Sequence, residues 1–597
     1  MKNVAKNIKW DLSSLYKSIS DPQIETDKKY VDTETDKFVN EYRGKISSGK
    51  MTPGDLKFMF EKLESILSIA YTFAVYANLL KSKNNTSHKY SRFHQQMEEF
   101  MNNISSKFIF IDTEIIKLPK AQFENYVKST ELKNYSHYLK KVYITKDHIL
   151  SEPEEIVMTI KRQTGASAFV KFYDRFFSTM AYPMKRGKAV KYYNYSEITN
   201  ILSSHKDRIK RKEAAESISK VYKENSHKYG FILNTLLQDK KLNDQLRKYK
   251  YPQQATYLSE EVNKEIVDTM SSVISNNYDL AEKFYSRKSK LLGYELHEWD
   301  RYSDIYTNVS EPDFSYDDAK ELILDSFKKF SPEFHRIALK FFANNWIDAE
   351  LNEGKSSGAF CAYATPAKNP FILTNFTGKA NDVRTLAHEL GHGIHAYLSR
   401  EQTLLNYWPV TPIAEIASIF CENIVFRAIY NETSNKKQRI NLLAGRIQEI
   451  FATVYRQNAF HIYETAIHDK RQKVGELSID ELSTLFQDTV QKSFGKGLKL
   501  TSGHKLWWIP ISHFYHYNFY VFSYPFGSML SNALYENYLS DGKEFLDNYI
   551  KVLKLGGAKN LQEITKLMKI DINSPTFWEE GLNPLRELID EFLEITN

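Results

Sequence analysis

Apolar residues recur at three- and four-residue intervals through most of the chain, and that period predicts amphipathic helices over about 57–80, 86–107, 204–238, 262–291, 317–344, 436–468 and 541–555. Strand-like runs gather in one place, residues 355–376, where a Gly-containing approach leads to a short β-prone run, a turn around Pro366 to Pro370, and a second run from Phe371 to Phe376. Directly after it the helical period returns. Leu386, Leu390, Ile394 and Leu398 stand four apart and Asn381 or Asp382 can cap the start, so one helix is predicted from about 383 to 399. A second, largely apolar helix is predicted with Thr411 as N-cap and Pro412 in the first helical position, where its missing N–H costs nothing. The pattern is that of a mainly α protein with a small sheet.

On the first of these two helices lies His388-Glu389-Leu390-Gly391-His392. Imidazoles four residues apart share a helix face one turn apart, so both can reach a Zn²⁺ at about 2.0–2.1 Å. Glu389 sits on the flank of that face and can reach a water in the metal's open position. The spacing assigns His388 and His392 as metal ligands and Glu389 as the proton acceptor. A catalytic zinc takes a third protein ligand. His395 lies seven residues beyond His388, about 10.5 Å along a straight helix, so it takes a supporting or core place. The metzincin arrangement needs Gly and His where this chain has His395 and Leu398, which excludes that class. Glu415, in the first turns of the apolar second helix, is the candidate third ligand, because a carboxylate on a buried helix needs a cation or hydrogen-bond partners. A basic partner, or the helix N-terminus itself, is the other account of Glu415. Glu422, two turns on, would stand behind the ligands; Glu401 would have to bend back from the end of the first helix.

The run Thr385-Leu386-Ala387-His388-Glu389-Leu390-Gly391-His392-Gly393-Ile394-His395, with Ala414-Glu415-Ile416-Ala417-Ser418, resembles the thimet-oligopeptidase-like zinc peptidases, specifically their bacterial oligoendopeptidase F branch. Trp10 to Tyr16, Lys355 to Cys361, Pro370 to Phe376, Ile511 to Tyr515 and Phe519 to Tyr524 are similar to further segments of that branch, so the resemblance runs nearly the full length. It implies a zincin-type catalytic core, two helical lobes enclosing a deep substrate channel, one Zn²⁺, and hydrolysis of internal bonds in short unfolded oligopeptides. It also implies that His513 and Tyr520 donate to the oxyanion, with Tyr517 and Tyr524 as substrate contacts. The strand approach at Gly358 and Ala359 would hold an extended peptide by backbone pairing. If 513–524 is helical, His513, His516, Tyr517, Tyr520 and Tyr524 form one stripe, a pattern that also suits a core. Two other readings stand beside this one: a helical zinc metallocarboxypeptidase, and a peptide-binding protein with a non-catalytic metal site. The intact Glu389 argues against the second, since a structural site has no use for it.

Composition sets the frame. At 597 residues, 42% hydrophobic and 14% aromatic, the chain exceeds a usual single domain, and a boundary near residue 200 separates a helical N-terminal lobe, 1–200, from a catalytic domain, 201–597. Cys361 and Cys421 are the only cysteines and form no CxxC pair, which argues against a disulfide framework and for a cytoplasmic protein. The N-terminus is too polar for a secretory signal. The most apolar stretch, Ser65 to Leu80, is shorter than the roughly 20 residues that span a bilayer, so it reads as a buried helix and no membrane association is expected. A net charge of +7, from 81 basic and 74 acidic residues spread along the helices, implies no nucleic-acid partner. No oligomeric state is read from the chain.

Overall fold

In the computed structural model, which describes residues 4–597, helices account for most of the chain and start where local capping chemistry directs. Thr52, Asn194, Ser315 and Ser478 each accept from a backbone N–H three residues on, and Asp55, Glu197, Asp318 and Glu481 reciprocate. Two predicted helices are each two in the structure. The 262–291 stretch is Lys264–Asn276 and Asp279–Leu292, and 317–344 divides at Ser331 into Tyr316–Phe330 and Pro332–Ala343. Pro332 cannot continue the first helix but suits the start of the second. The 436–468 prediction is one long run, Lys436–Ile450 passing into Gln457–Val474 through a six-residue π-helical turn, Phe451–Arg456.

Packing separates the chain into two compact units, each assembled from three distant segments. The first comprises Met1–Glu152, Pro312–Glu432 and Asn537–Asp571; the second comprises Pro153–Glu311, Thr433–Glu536 and Ile572–Asn597. These units do not part at the linear boundary near residue 200, which falls within the second unit on the helix Tyr195–Ser204. Long-range contacts draw the division, and local composition carries no trace of them.

In the first unit, the helix Pro53–Lys83 packs against Pro22–Tyr42 and His88–Ile115. With 31 residues it is longer than its apolar centre suggested. Among the described residues it is the one helix long and apolar enough to cross a membrane, and 56% of its most apolar stretch is buried inside the protein. The elements around the candidate site follow in order: α1 (Pro332–Ala343), β1 (Ile347–Asp348), β2 (Phe360–Ala362), β3 (Phe371–Leu373), α2 (Ala380–Leu398) and α3 (Thr411–Glu432). The strands form one small sheet in the order β1-β3-β2, with β1 parallel and β2 antiparallel to β3, Cys361 opposite Ile372. The Lys355 ammonium ties its end together, pairing with Asp348 at 2.5 Å and donating to the carbonyls of Asp348, Glu350 and Thr374. The two-residue β1 is too short to show a period in sequence.

The second unit adds a hairpin, Tyr182–Arg186 with Ala189–Tyr193, that sequence patterning had not placed. Tyr182 and Met184 of the first strand turn inward, but Ala189 to Tyr192 are all exposed, so the second strand has no buried face to impose the alternation that would mark it.

Candidate metal centre and active site

Helix α2 starts at Ala380, three residues before the predicted 383. The Asp382 carboxylate accepts from the backbone N–H groups of Thr377 at 2.8 Å and Lys379 at 3.2 Å, so it caps the helix from its third position, with Lys379 as the N-cap residue, and pins the incoming loop. Leu386, Leu390 and Ile394 are fully buried, as their spacing demands. What places the chemistry is the crossing of α2 over α3. A Cβ added at Gly391 would lie 2.5 Å from the Ala417 carbonyl oxygen and 2.6 Å from Ser418 Cα; one added at Gly393 would lie 2.5 Å from the Phe341 ring of α1. Backbone cannot move aside as a side-chain tip can, so the Gly391 contact is the stricter of the two. Gly391→Ala should therefore destabilise the protein by about 1–3 kcal/mol through overpacking, seen as a lower denaturant midpoint, and should weaken metal retention because α3 carries Glu415.

At this crossing His388, His392 and Glu415 converge, their potential ligand atoms all within 4.8 Å of one another. Each Nε2 lies 3.6 Å from Glu415 Oε2. Donors held at about 2.0–2.1 Å on a tetrahedral ion stand about 3.4 Å apart, so two imidazoles and one carboxylate at these separations fit a zinc ion with one position left over. All three side chains keep partial exposure, between 17% and 28%, which leaves that position accessible.

A further set of contacts holds these donors. Glu422 Oε2 stands 3.4 Å from His388 Nδ1, which turns the ring so that Nε2 faces Glu415. Arg384 stands 3.4 Å from Glu422 Oε1 and donates to Asn381 Oδ1, completing an Arg384–Glu422–His388 chain. The Ser418 hydroxyl donates to Glu415 Oε2 at 2.8 Å. The Ala414 backbone opposes the lowering of both His392 and His395. His395 is 3% exposed and is not among the converging donors, in keeping with a core place. Ser418 and Arg384 were not anticipated, although Ser418 is one turn beyond Glu415 and Arg384 one turn before His388, the same helical offsets that identified the pair.

Electrostatics follow from this crowding. Burial alone would depress His388, but its hydrogen bond to Glu422 and the Glu415 charge raise it to about 9. His392, which lacks the Glu422 contact, is lowered to about 4 by burial. Glu389 is pushed up to about 7, chiefly by burial, against the opposing His388 charge and with Glu415 and Glu422 adding to the rise. The Cys361 backbone N–H opposes that rise slightly. Cys361 is the middle residue of β2, an edge strand of the sheet. Gly358 and Ala359 lead into that edge: Gly358 takes the left-handed backbone (φ 79°) and its carbonyl accepts from Asn375 Nδ2 at 2.9 Å.

The aromatic group at 513–524 belongs to the second unit, and it is not one helix. His513–His516 is a single turn, and the next helix starts at Ser523. Between them Phe519 takes a positive φ of 59°, costly for an aromatic residue. Its N–H donates to the buried Glu464 carboxylate at 2.7 Å, its ring lies tilted against His468 at 4.6 Å between centroids, and the preceding Asn518 carbonyl accepts from Thr256. The five-residue stripe therefore gives way to a folded cluster. His513 Nε2 pairs with the Tyr524 hydroxyl at 3.0 Å, while Tyr520 lies parallel to the imidazole at 6.0 Å between centroids. His516 bonds Asp174 at 2.7 Å, and Tyr517 is 63% exposed.

Burial raises Glu464 to about 8 from 4.5. A carboxyl whose folded pKa lies above its unfolded one contributes stability below about pH 4.5 that is lost as pH rises through about 8. Thermal unfolding should show this loss, and Glu464→Gln, which keeps an acceptor for Phe519, should flatten it over the same window.

Comparison with known proteins adds the following. A family model described as Peptidase family M3 matches residues 201–584, and one described as Oligopeptidase F matches residues 114–182. The chain is 26% identical to the Bacillus subtilis oligopeptidase PepF over 93% of its own length and 83% of that protein. It is 27% identical to an oligoendopeptidase F homolog of Lactococcus lactis, over 98% of both. Its fold matches a crystal structure from Chlamydophila abortus with a TM-score of 0.84 and 21% identity, covering 100% of each chain.

Proposed function

The chain belongs to peptidase family M3, a family of metallo-endopeptidases, and we propose that it is a zinc-dependent enzyme cleaving internal bonds of short, unfolded oligopeptides. The observation that carries this reading is the convergence of His388, His392 and Glu415 beside a buried carboxyl, Glu389. Those three residues would hold one Zn²⁺. When bound, the ion supplies a Lewis acid that polarises the scissile carbonyl and brings the pKa of its water toward about 7.

The protein's own groups do the rest. Glu389 takes a proton from the attacking water on a carboxylate oxygen and returns it to the leaving amine nitrogen. Burial disfavours the charged form of Glu389 and so favours its holding the proton between the two transfers. Glu422 and Ser418 orient His388 and Glu415. The family resemblance assigns His513 and Tyr520 as donors to the oxyanion as the carbonyl carbon becomes tetrahedral; within the second unit the Tyr524 hydroxyl meets the His513 imidazole. His513→Ala and Tyr520→Phe should each lower kcat by about 10²–10³ with zinc content unchanged; a variant with undiminished kcat removes that residue from the role.

The experiment for the reading as a whole pairs metal analysis with an internally quenched peptide blocked at both ends. One zinc per chain, cleavage of the blocked peptide and sparing of a folded protein are expected. A carboxypeptidase needs a free terminus, so a blocked peptide left intact would overturn the endopeptidase assignment.

A further inference from the structure

The π-helical turn Phe451–Arg456 interrupts an otherwise α-helical run, and such bulges concentrate at functional sites. This one widens the helix so that Arg456 lines a cavity of about 10 Å³, together with Tyr285, Arg301, Tyr302 and Gln448. A volume of that size has room for one water-sized particle and for nothing polyatomic.

The cavity carries positive charge without a counter-ion. Among the described residues, neither Arg301 nor Arg456 has a carboxylate within ion-pair distance. Arg456 donates to the Tyr302 hydroxyl at 2.8 Å, and the Arg301 guanidinium lies over the Tyr302 ring at 4.6 Å. The Nε of each arginine is buried without a hydrogen-bond partner. So is the hydroxyl of Tyr285, a residue that is 0% exposed. Neighbouring acids are already engaged. Asp300 is shared by Arg208 and Arg211, and Glu449 pairs with Arg446 at 3.5 Å. Lys288, fully buried and lowered by burial to about 7, lies behind the wall and donates to Gln448 Oε1 at 2.6 Å. The two arginines are half-buried, and the groups that burial leaves without an acceptor are their Nε–H donors and the Tyr285 hydroxyl, each costing its desolvation.

We propose that this cavity binds a single chloride-sized monovalent anion, held by Arg301, Arg456 and the Tyr285 hydroxyl. The groups left without partners there are donors, which an anion satisfies while neutralising the guanidiniums. A water would accept the same hydrogen bonds and leave the charge in place. The in-chain rival is a Tyr302 phenolate: burial pushes that phenol up, but the Arg301 and Arg456 charges outweigh it and hold its pKa below the ordinary 10.0.

The test uses the full-length protein in sodium chloride, bromide and gluconate at equal ionic strength. Both halides should raise Tm over gluconate by roughly 2–4 °C, and bromide-soaked crystals should show an anomalous peak between Arg301 and Arg456. Arg456→Gln should abolish the halide increment. Tyr285→Phe decides the matter if that variant fails to fold: with the anion bound it should lose part of the increment, whereas deletion of a truly unpaired hydroxyl is neutral or stabilising in every salt. Equal Tm in the three salts, a bromide-free cavity, or a tyrosinate ultraviolet band that persists in chloride would overturn the proposal.

Discussion

Replacing Glu389 by Gln should lower cleavage of a blocked peptide by about 10²–10⁴-fold, the usual worth of a positioned general base, while leaving zinc content unchanged. The substitution is close to isosteric. What disappears is the ability to carry a proton between the attacking water and the departing amine. Glu389 is 6% exposed and burial disfavours its charged form, so the neutral amide should not destabilise the fold. Activity and zinc measured on one preparation separate the possibilities. Wild-type turnover would remove Glu389 from the reaction, and joint loss of metal and turnover would make it a structural support of the site.

Glu415→Ala should weaken zinc binding by more than about 100-fold, while Glu422→Gln should weaken it by about 10–100-fold, the range for residues that orient a metal ligand. The two carboxylates differ in which atom of the histidines they meet. Glu415 faces Nε2 of both rings at 3.6 Å, the atoms positioned to bind metal, whereas Glu422 faces Nδ1 of His388 alone at 3.4 Å. Removing the first takes away a donor; neutralising the second lowers the basicity of one ring and loosens its orientation. Competition with a chromophoric chelator measures both affinities, and chelator treatment of the wild type should abolish cleavage until zinc is restored. Equal affinities for Glu415→Ala and the wild type would mean that the third donor comes from elsewhere.

Much of the candidate site is legible along the chain because it is local. His388, Glu389 and His392 occupy one helix, where a four-residue offset alone sets a shared face, and the carboxylate requirement of a buried helix singled out Glu415. The Arg384 and Ser418 contacts obey the same offsets and were readable in principle. The 513–524 segment shows the opposite case. Its helical stripe was a sound reading of the spacing, yet the buried Glu464 captures the Phe519 N–H and holds a left-handed backbone that breaks the helix. No sequence period reports a hydrogen bond to a residue 55 positions away.

The same distinction runs through the whole molecule. The sequence by itself determined the helical character, several helix starts and the zinc-type motif, because periodicity, capping and i,i+4 spacing act over a few residues, and its resemblance to a known family pointed to a peptidase. Only the tertiary structure decided that each compact unit draws on three distant segments and that Gly391 lets α2 and α3 meet backbone to backbone. That last contact brings Glu415 to two histidines more than twenty residues away, and it depends on van der Waals fit between surfaces that folding alone brings together.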